Sequence, residues 1–289
     1  MIIKRGFYKD VIYINPYSFM LDDMRWSFSR LNCYERCSYA FYLQYIKKLD
    51  QSQNAFAEYG AFCHDLLERY FKGELMIFEL LGEYEDKFTQ NVIHDFPPNA
   101  HVDLAESYFE QGKNYFANFD GLPQYKVLEV EKEVKFNIDK YNFIGYIDLV
   151  VENKNGEIEL IDHKSKDLSK PQKTKWSKTE TRRKMELYEY LRQLYIYSIP
   201  IVEQEGVVPK YLNFNCFRKP TKSGKVNWIQ VPFDMDDYKE SKLWALNIIE
   251  NIYRDENMKR TYDNDWFCNQ LCSVKEFCPM SDRYIGNVG

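Results

Sequence analysis

Residues 141–164 read YNFIGYIDLVVENKNGEIELIDHK. Apolar residues fill most positions from Phe143 to Val151, the pattern of a strand covered on both faces. Lys154-Asn155-Gly156 supplies an Asn-Gly hairpin turn, and residues 157–164 form the next strand. The turn makes the two strands neighbours, so Asp148 and Asp162 can lie side by side. Lys164, two residues beyond Asp162, shares its face of the strand. A charge in so apolar a setting is costly unless it is paired or bound to a cation.

Outward from this stretch, Val130, Val134, Phe136 and Ile138 alternate with mostly polar residues and predict a strand over 130–138. Further upstream the texture is helical. Residues 28–49 read as one helix capped by Ser27 or Ser29, and 56–72 as a second. Two more helical patterns lie near 75–93 and 103–119, with Pro97-Pro98 breaking between them. Downstream come a long helix over about 180–204, strands near 210–218 and 226–233, a helix over about 236–258 and an irregular Cys-containing tail. This order predicts an α/β fold with a mixed sheet and a helical N-terminal cap. The 289 residues divide into an N-terminal helical region (1–125), a core (126–235) and a C-terminal helix with the Cys cluster (236–289), which packs back on the N-terminal region. All three form one integrated domain.

Hydrophobic residues make up 45% of the chain, enough for a sizeable core, and most of the 24 Tyr and 20 Phe are expected to fill it. A net charge of -5 argues against a nucleic-acid coat protein, yet an enzyme needs only a local basic track. No stretch reaches the ~18 apolar residues of a membrane span. The charged, aromatic N-terminus lacks the apolar run of a signal peptide. A soluble, cytoplasmic protein with no membrane association is expected.

Two carboxylates and an ammonium on one sheet face suit phosphodiester hydrolysis. Carboxylates hold a hard divalent cation such as Mg2+ or Mn2+ through oxygen. The cation polarises the phosphate and acidifies a water, while the lysine orients that water and offsets growing charge. An Asp–Lys ion pair with no chemistry is the plain alternative for the same residues.

Gly145-Tyr146-Ile147-Asp148 followed by Asp162-His163-Lys164 resembles the PD-(D/E)xK nuclease superfamily. Gly60-Ala61-Phe62-Cys63-His64 is similar to the G-x-x-x-H helix of its RecB-like branch, and Gln193-Leu194-Tyr195-Ile196-Tyr197 to that branch's Q-x-x-x-Y helix. Ser27-Phe28-Ser29-Arg30-Leu31, with Tyr34 and Cys37, resembles the N-terminal segment of the iron–sulfur members, the Cas4 and AddB-type nucleases. The resemblance implies a restriction-endonuclease-like core, its mixed central sheet flanked by helices. It implies His64, Asp148, Asp162 and the His163 backbone carbonyl as metal ligands, and Lys164 as the water-orienting residue. Gln193 and Tyr197 would complete the catalytic group, the Gln positioning the lysine or the substrate. The His163 side chain is expected to be incidental.

The implied activity is Mg2+- or Mn2+-dependent DNA exonuclease action on single strands or duplex ends, in recombination and repair or in phage- or CRISPR-type DNA processing. A structure-specific or restriction-type endonuclease is one alternative, and a weakly active DNA-binding subunit of a recombination complex another. No G-x-x-x-x-G-K-[ST] motif occurs, so ATP-driven unwinding would need a helicase partner.

Cys268, Cys272 and Cys278 fall close together in the tail and suggest a metal site. A fourth ligand must come from afar, and Cys37 sits where the resemblance places it, with Cys33 a possible substitute. Four thiolates can hold a [4Fe–4S] cluster or a structural Zn2+; the resemblance favours the cluster. The family spacing is C-x2-C-x5-C, and here the first gap has an extra residue. Cys63 and Cys216 read as buried thiols.

Residues 164–184 carry nine Lys or Arg against two acids. Such a run is often only a solvated loop. Placed directly after the catalytic strand, it can follow a phosphate track through Lys166, Lys170, Lys173, Lys175, Arg182 and Arg183, with Trp176 stacking on a base.

Overall fold

Five strands pair in chain order into one mixed sheet: β1 (Lys126–Ile138), β2 (Tyr141–Glu152), β3 (Ile158–Lys164), β4 (Tyr211–Cys216) and β5 (Asn227–Pro232). The computed structural model of the chain describes residues 15–165, 168, 178–217 and 227–286, with backbone alone for 178–185 and 227. Among the described strands only β3 and β4 run parallel. A parallel pair needs a crossover, and α7 (Lys178–Tyr197) with α8 (Ile199–Glu203) lies within it. Between β2 and β3, the Asn153 side chain accepts from the N–H groups of Asn155 and Glu157 at 2.9 and 3.1 Å. Gly156 takes the left-handed φ of 78° that this three-residue loop requires.

Among the described residues six α-helices precede the sheet: α1 (Ser18–Asp22), α2 (Phe28–Arg36), α3 (Ser38–Phe41), α4 (Ala55–Phe71), α5 (Leu80–Asn91) and α6 (Leu104–Asn118); α9 (Met235–Arg254) follows it. Side chains of Ser27, Asn54, Asp103 and Asp234 cap α2, α4, α6 and α9 by accepting first-turn N–H groups. Two aromatic-rich cores cover the sheet. One joins Phe136, Phe143, Ile147 and Phe214 to residues of α2, α7 and α9. The other joins Leu149, Val151 and Ile161 to residues of α4, α5 and α6. The expected α/β class, with a mixed sheet flanked by helices, is what forms.

Two helices expected to be continuous are broken. The stretch predicted as one helix over 28–49 stops at Cys37, which is extended (φ -155°, ψ 107°), and resumes as α3 and a π-helical turn at Tyr42–Ile46. The physical reason is a tertiary hook. The Ser38 hydroxyl donates to the Lys259 carbonyl at 2.5 Å and its N–H to the Thr261 hydroxyl at 3.3 Å, drawing the chain out of the helix. The helix predicted over 180–204 divides at Ser198, because Pro200 has no N–H to continue the ladder.

β1 and β2 reverse their faces part-way along. Ile147 belongs to the first core, yet Leu149, two residues on, belongs to the second. The reversal falls opposite Glu131, whose backbone is left-handed (φ 48°). A left-handed residue inside a strand re-aims its side chain and twists the ribbon.

Candidate functional site

β2 and β3 pair only from Leu149↔Ile161 to Glu152↔Ile158. Beyond this, β2 stays with β1 and β3 with β4, so the ladder opens into a cleft at Asp148 and Asp162. Where the next main-chain bond would fall, Asp148 Oδ2 accepts the N–H of His163 at 2.6 Å. On its other side Asp148 meets β1, where the pairs Val130↔Leu149 and Lys132↔Ile147 bracket Glu131.

Helix α4 approaches from the face of the second core. Gly60 faces the end of β3, where a Cβ would make an ordinary contact 3.4 Å from Ser165 Oγ, the residue after Lys164. One turn later His64 places Nδ1 at 3.5 Å from Asp148 Oδ2. One ligand atom each from His64, Glu131 and Asp148 lie within 4.8 Å of one another, and they are the one such trio of His, Cys, Asp or Glu among the described residues. Two carboxylate oxygens and an imidazole nitrogen suit a divalent cation of the Mg2+ or Mn2+ type.

Asp162 stands beside this trio rather than in it. Its Oδ2 is 2.7 Å from Lys164 Nζ, and both side chains are largely buried. Lys164 Nζ also donates to Gln193 Oε1 at 3.4 Å and lies 4.8 Å from the centre of the Tyr190 ring. Tyr197 fills the fork of the split ladder. Its ring lies so close to β2 that a Cβ on Gly145 would fall 2.3 Å from it, so only glycine fits there.

Crowded carboxylates leave an electrostatic signature. Burial, then the charge of Asp162, raises the pKa of Asp148. Burial, then Asp148, pushes Glu131 up to about 7. Burial acts against the charge of Lys164, but Asp162 and Asp148 outweigh it and hold the ammonium above its ordinary pKa. Burial lowers His64, and drives His163 well below the ordinary imidazole value. The site thus holds neutral imidazoles, a fixed cation and acids whose ionisation a divalent cation would favour.

The PD-(D/E)XK nuclease superfamily model matches residues 25–279. The chain belongs to that superfamily. Membership makes it a nuclease of a metal-dependent class whose implied substrate is DNA. No curated protein matches the chain. Among solved structures, "Crystal structure of SSO0001" aligns at 15% identity over 71% of this chain and 97% of that one, with a TM-score of 0.32. At that score the likeness adds nothing to the superfamily assignment.

Within the PD-(D/E)XK frame, His64, Asp148, Asp162, His163, Lys164 and Gln193 converge on one cleft, with Tyr197 packed at its fork. Glu131 joins them and is missed by sequence reasoning, because it is one of three alternating acids in β1 with nothing to single it out. The available signal is the register. The turn at Asp139-Lys140 sets Ile138 opposite Tyr141, and counting back along both strands sets Glu131 against Asp148. The basic-track residues Lys166, Lys170, Lys173, Lys175 and Trp176 lie outside the described residues, as do the side chains of Arg182 and Arg183 on α7.

A second constellation lies between the chain's two ends. Cys33, Cys37, Cys268, Cys272 and Cys278 line one cavity of about 370 Å3. Arg260 Nη2 donates to Cys268 Sγ at 3.5 Å. No three of these sulfurs lie within 4.8 Å of one another. The extra residue in the first Cys gap has a structural home: Phe267–Leu271 is a π-helical turn, closed by the Cys272 N–H on the Phe267 carbonyl at 2.9 Å. A π-turn holds one residue more than an α-turn, so the longer spacing need not displace either thiol. Gln193 and Tyr190, which touch Lys164, also line this cavity.

Proposed function

We propose that the chain is a Mg2+- or Mn2+-dependent DNA exonuclease of the RecB-like, iron–sulfur (Cas4 and AddB-type) branch, acting on single strands or duplex ends. The observation that carries this reading is the split ladder, which sets the His64–Glu131–Asp148 trio beside the Asp162–Lys164–Gln193 chain. His64, Asp148 and Glu131 would hold the divalent ion, with Asp162 and the His163 carbonyl adjacent. When bound, the ion supplies charge neutralisation at the phosphate and acidification of a water. Lys164, kept cationic by Asp162, orients the attacking water and offsets charge on the phosphate oxygens. Gln193 fixes the ammonium, and Tyr197 packs on β2 at Gly145 beside the cleft.

The five-thiol cavity supports a [4Fe–4S] cluster held by Cys37, Cys268, Cys272 and Cys278. The same four thiolates could instead hold a structural Zn2+. The basic stretch after β3 is assigned to the DNA backbone by sequence alone. Work in recombination, repair or CRISPR-type processing, with a helicase or recombination partner, fits a nuclease without a P-loop of its own. No described helix is long and apolar enough to cross a membrane, which accords with a cytoplasmic location.

End-labelled linear and circular single-stranded DNA, incubated with Mg2+ or Mn2+ and with EDTA, tests the reading. Degradation of linear DNA alone is expected. Cleavage of circles would replace it with an endonuclease. Inertness, with Asp162→Ala indistinguishable from wild type, would overturn the enzyme.

A further inference from the structure

The His163 peptide sits at the hinge of the split ladder. On one side it keeps its pairing with β4, where His163 faces Asn215. On the other side β2 has gone, and the His163 N–H is given to the Asp148 carboxylate instead. His163 therefore meets two members of the candidate metal trio, Asp148 through its N–H and His64 through its ring, and half of the ladder that would normally fix its orientation is missing.

The His163 side chain supplies what the ladder does not. Its ring is 3% exposed, stacks on Phe71 at 6.1 Å and meets the His64 ring edge-on at 5.7 Å. Its Nδ1 lies 3.0 Å from Asn215 Nδ2, and that amide also donates to Tyr115 Oη on α6 at 2.7 Å. With both amide hydrogens so used, Nδ1 accepts and the ring proton sits on Nε2. Asn215 is fully buried in β4 and its Oδ1 has no partner among the described residues, an arrangement unfavourable for stability alone.

We propose that Asn215 is a positioning residue for the metal site, acting through the His163 ring. The relay Tyr115–Asn215–His163 fixes the angle at which the His163 backbone presents its N–H to Asp148 and holds the ring against His64. The His163 side chain is then not incidental. This rests on the metal-site reading given above. Residues that orient metal ligands are typically worth about 10- to 100-fold in metal affinity.

Mn2+ titration of the metal-free full chain by calorimetry, with the His163 tautomer read by 15N NMR, tests the proposal. Asn215→Leu is expected to weaken Mn2+ by about 10- to 100-fold and to broaden the ring between tautomers. Tyr115→Phe, a milder change that keeps the fold should Asn215→Leu not do so, is expected to shift both readouts in the same direction by less. His163→Asn, whose Oδ1 can accept from Asn215, should bind more tightly than His163→Leu. Folded Asn215→Leu or Tyr115→Phe with wild-type affinity and a single Nε2–H tautomer would overturn the relay. Wild-type protein that binds no Mn2+ would instead overturn the metal site itself.

Discussion

The carboxylate cleft draws on adjacent strands, whereas the thiol cavity draws on the two ends of the chain. Glu131, Asp148 and Asp162 sit on β1, β2 and β3, held by ladders that the cores on both faces already stabilise. Their problem is excess negative charge, which the fold meets with one lysine. The thiols sit on an extended residue after α2 and in short π and 3-10 turns, tied by isolated bonds such as Gln44 to Ser273 at 2.8 Å and Ser52 to Ser273 at 2.7 Å. The cleft is thus organised before its ion arrives and is relieved by it. The cavity has little regular structure of its own, and on the proposed cluster it would gain order from what it binds.

The sharpest test sets one variant of each region side by side. Asp148→Asn should lower DNA hydrolysis by about a hundred- to a thousandfold, the order expected when one electrostatic partner of a transition state is lost. Its metal-free Tm should hold or rise, because the mutual repulsion of buried carboxylates falls. Cys272→Ser should do the reverse, lowering Tm and losing hydrolysis only as the fold is lost. Equal Tm for Cys272→Ser and wild type would erase the contrast.

A smaller effect is expected at the fork of the ladder. Gly145→Ala puts a Cβ into the Tyr197 ring and should cost about 1–3 kcal/mol, the usual range for overpacking. Chemical denaturation measures it, and an unchanged midpoint would mean that Tyr197 moves aside freely.

The smallest effect is one of pH. Glu131 has a folded pKa of about 7, above the ordinary carboxylate value, because burial and Asp148 disfavour its charge. Its contribution to stability is therefore complete at acid pH and is lost as pH rises toward and through 7. Metal-free Tm should fall over that interval in wild type relative to Glu131→Gln, and added Mn2+ should restore it most at the alkaline end. Parallel curves for the two proteins would remove Glu131 from the charge cluster.

Much of this was legible in the residues. The apolar run 143–151, the Asn-Gly turn and the spacing of Asp162 and Lys164 were enough for the hairpin and for the neighbouring carboxylates, because strand alternation and turn chemistry are local. Glu131 was not legible by composition. Its selection depends on a left-handed backbone and on register with β2, both fixed by pairing across the sheet. The breaks at Cys37 and Ser198 divide along the same line. Pro200 announces the second in the sequence, whereas the first is imposed by Lys259 and Thr261, residues far along the chain. The π-turn that absorbs the extra residue before Cys272 has no sequence signal that we recognise.

Gly145 and Tyr197 also bear on how the chain can diverge. A ring on α7 occupies the space that a side chain on β2 would need. The two positions should therefore covary among relatives: anything larger than glycine at 145 should be accompanied by a smaller residue at 197. The pair would mark, in an alignment alone, where α7 packs on the part of β2 that has left β3.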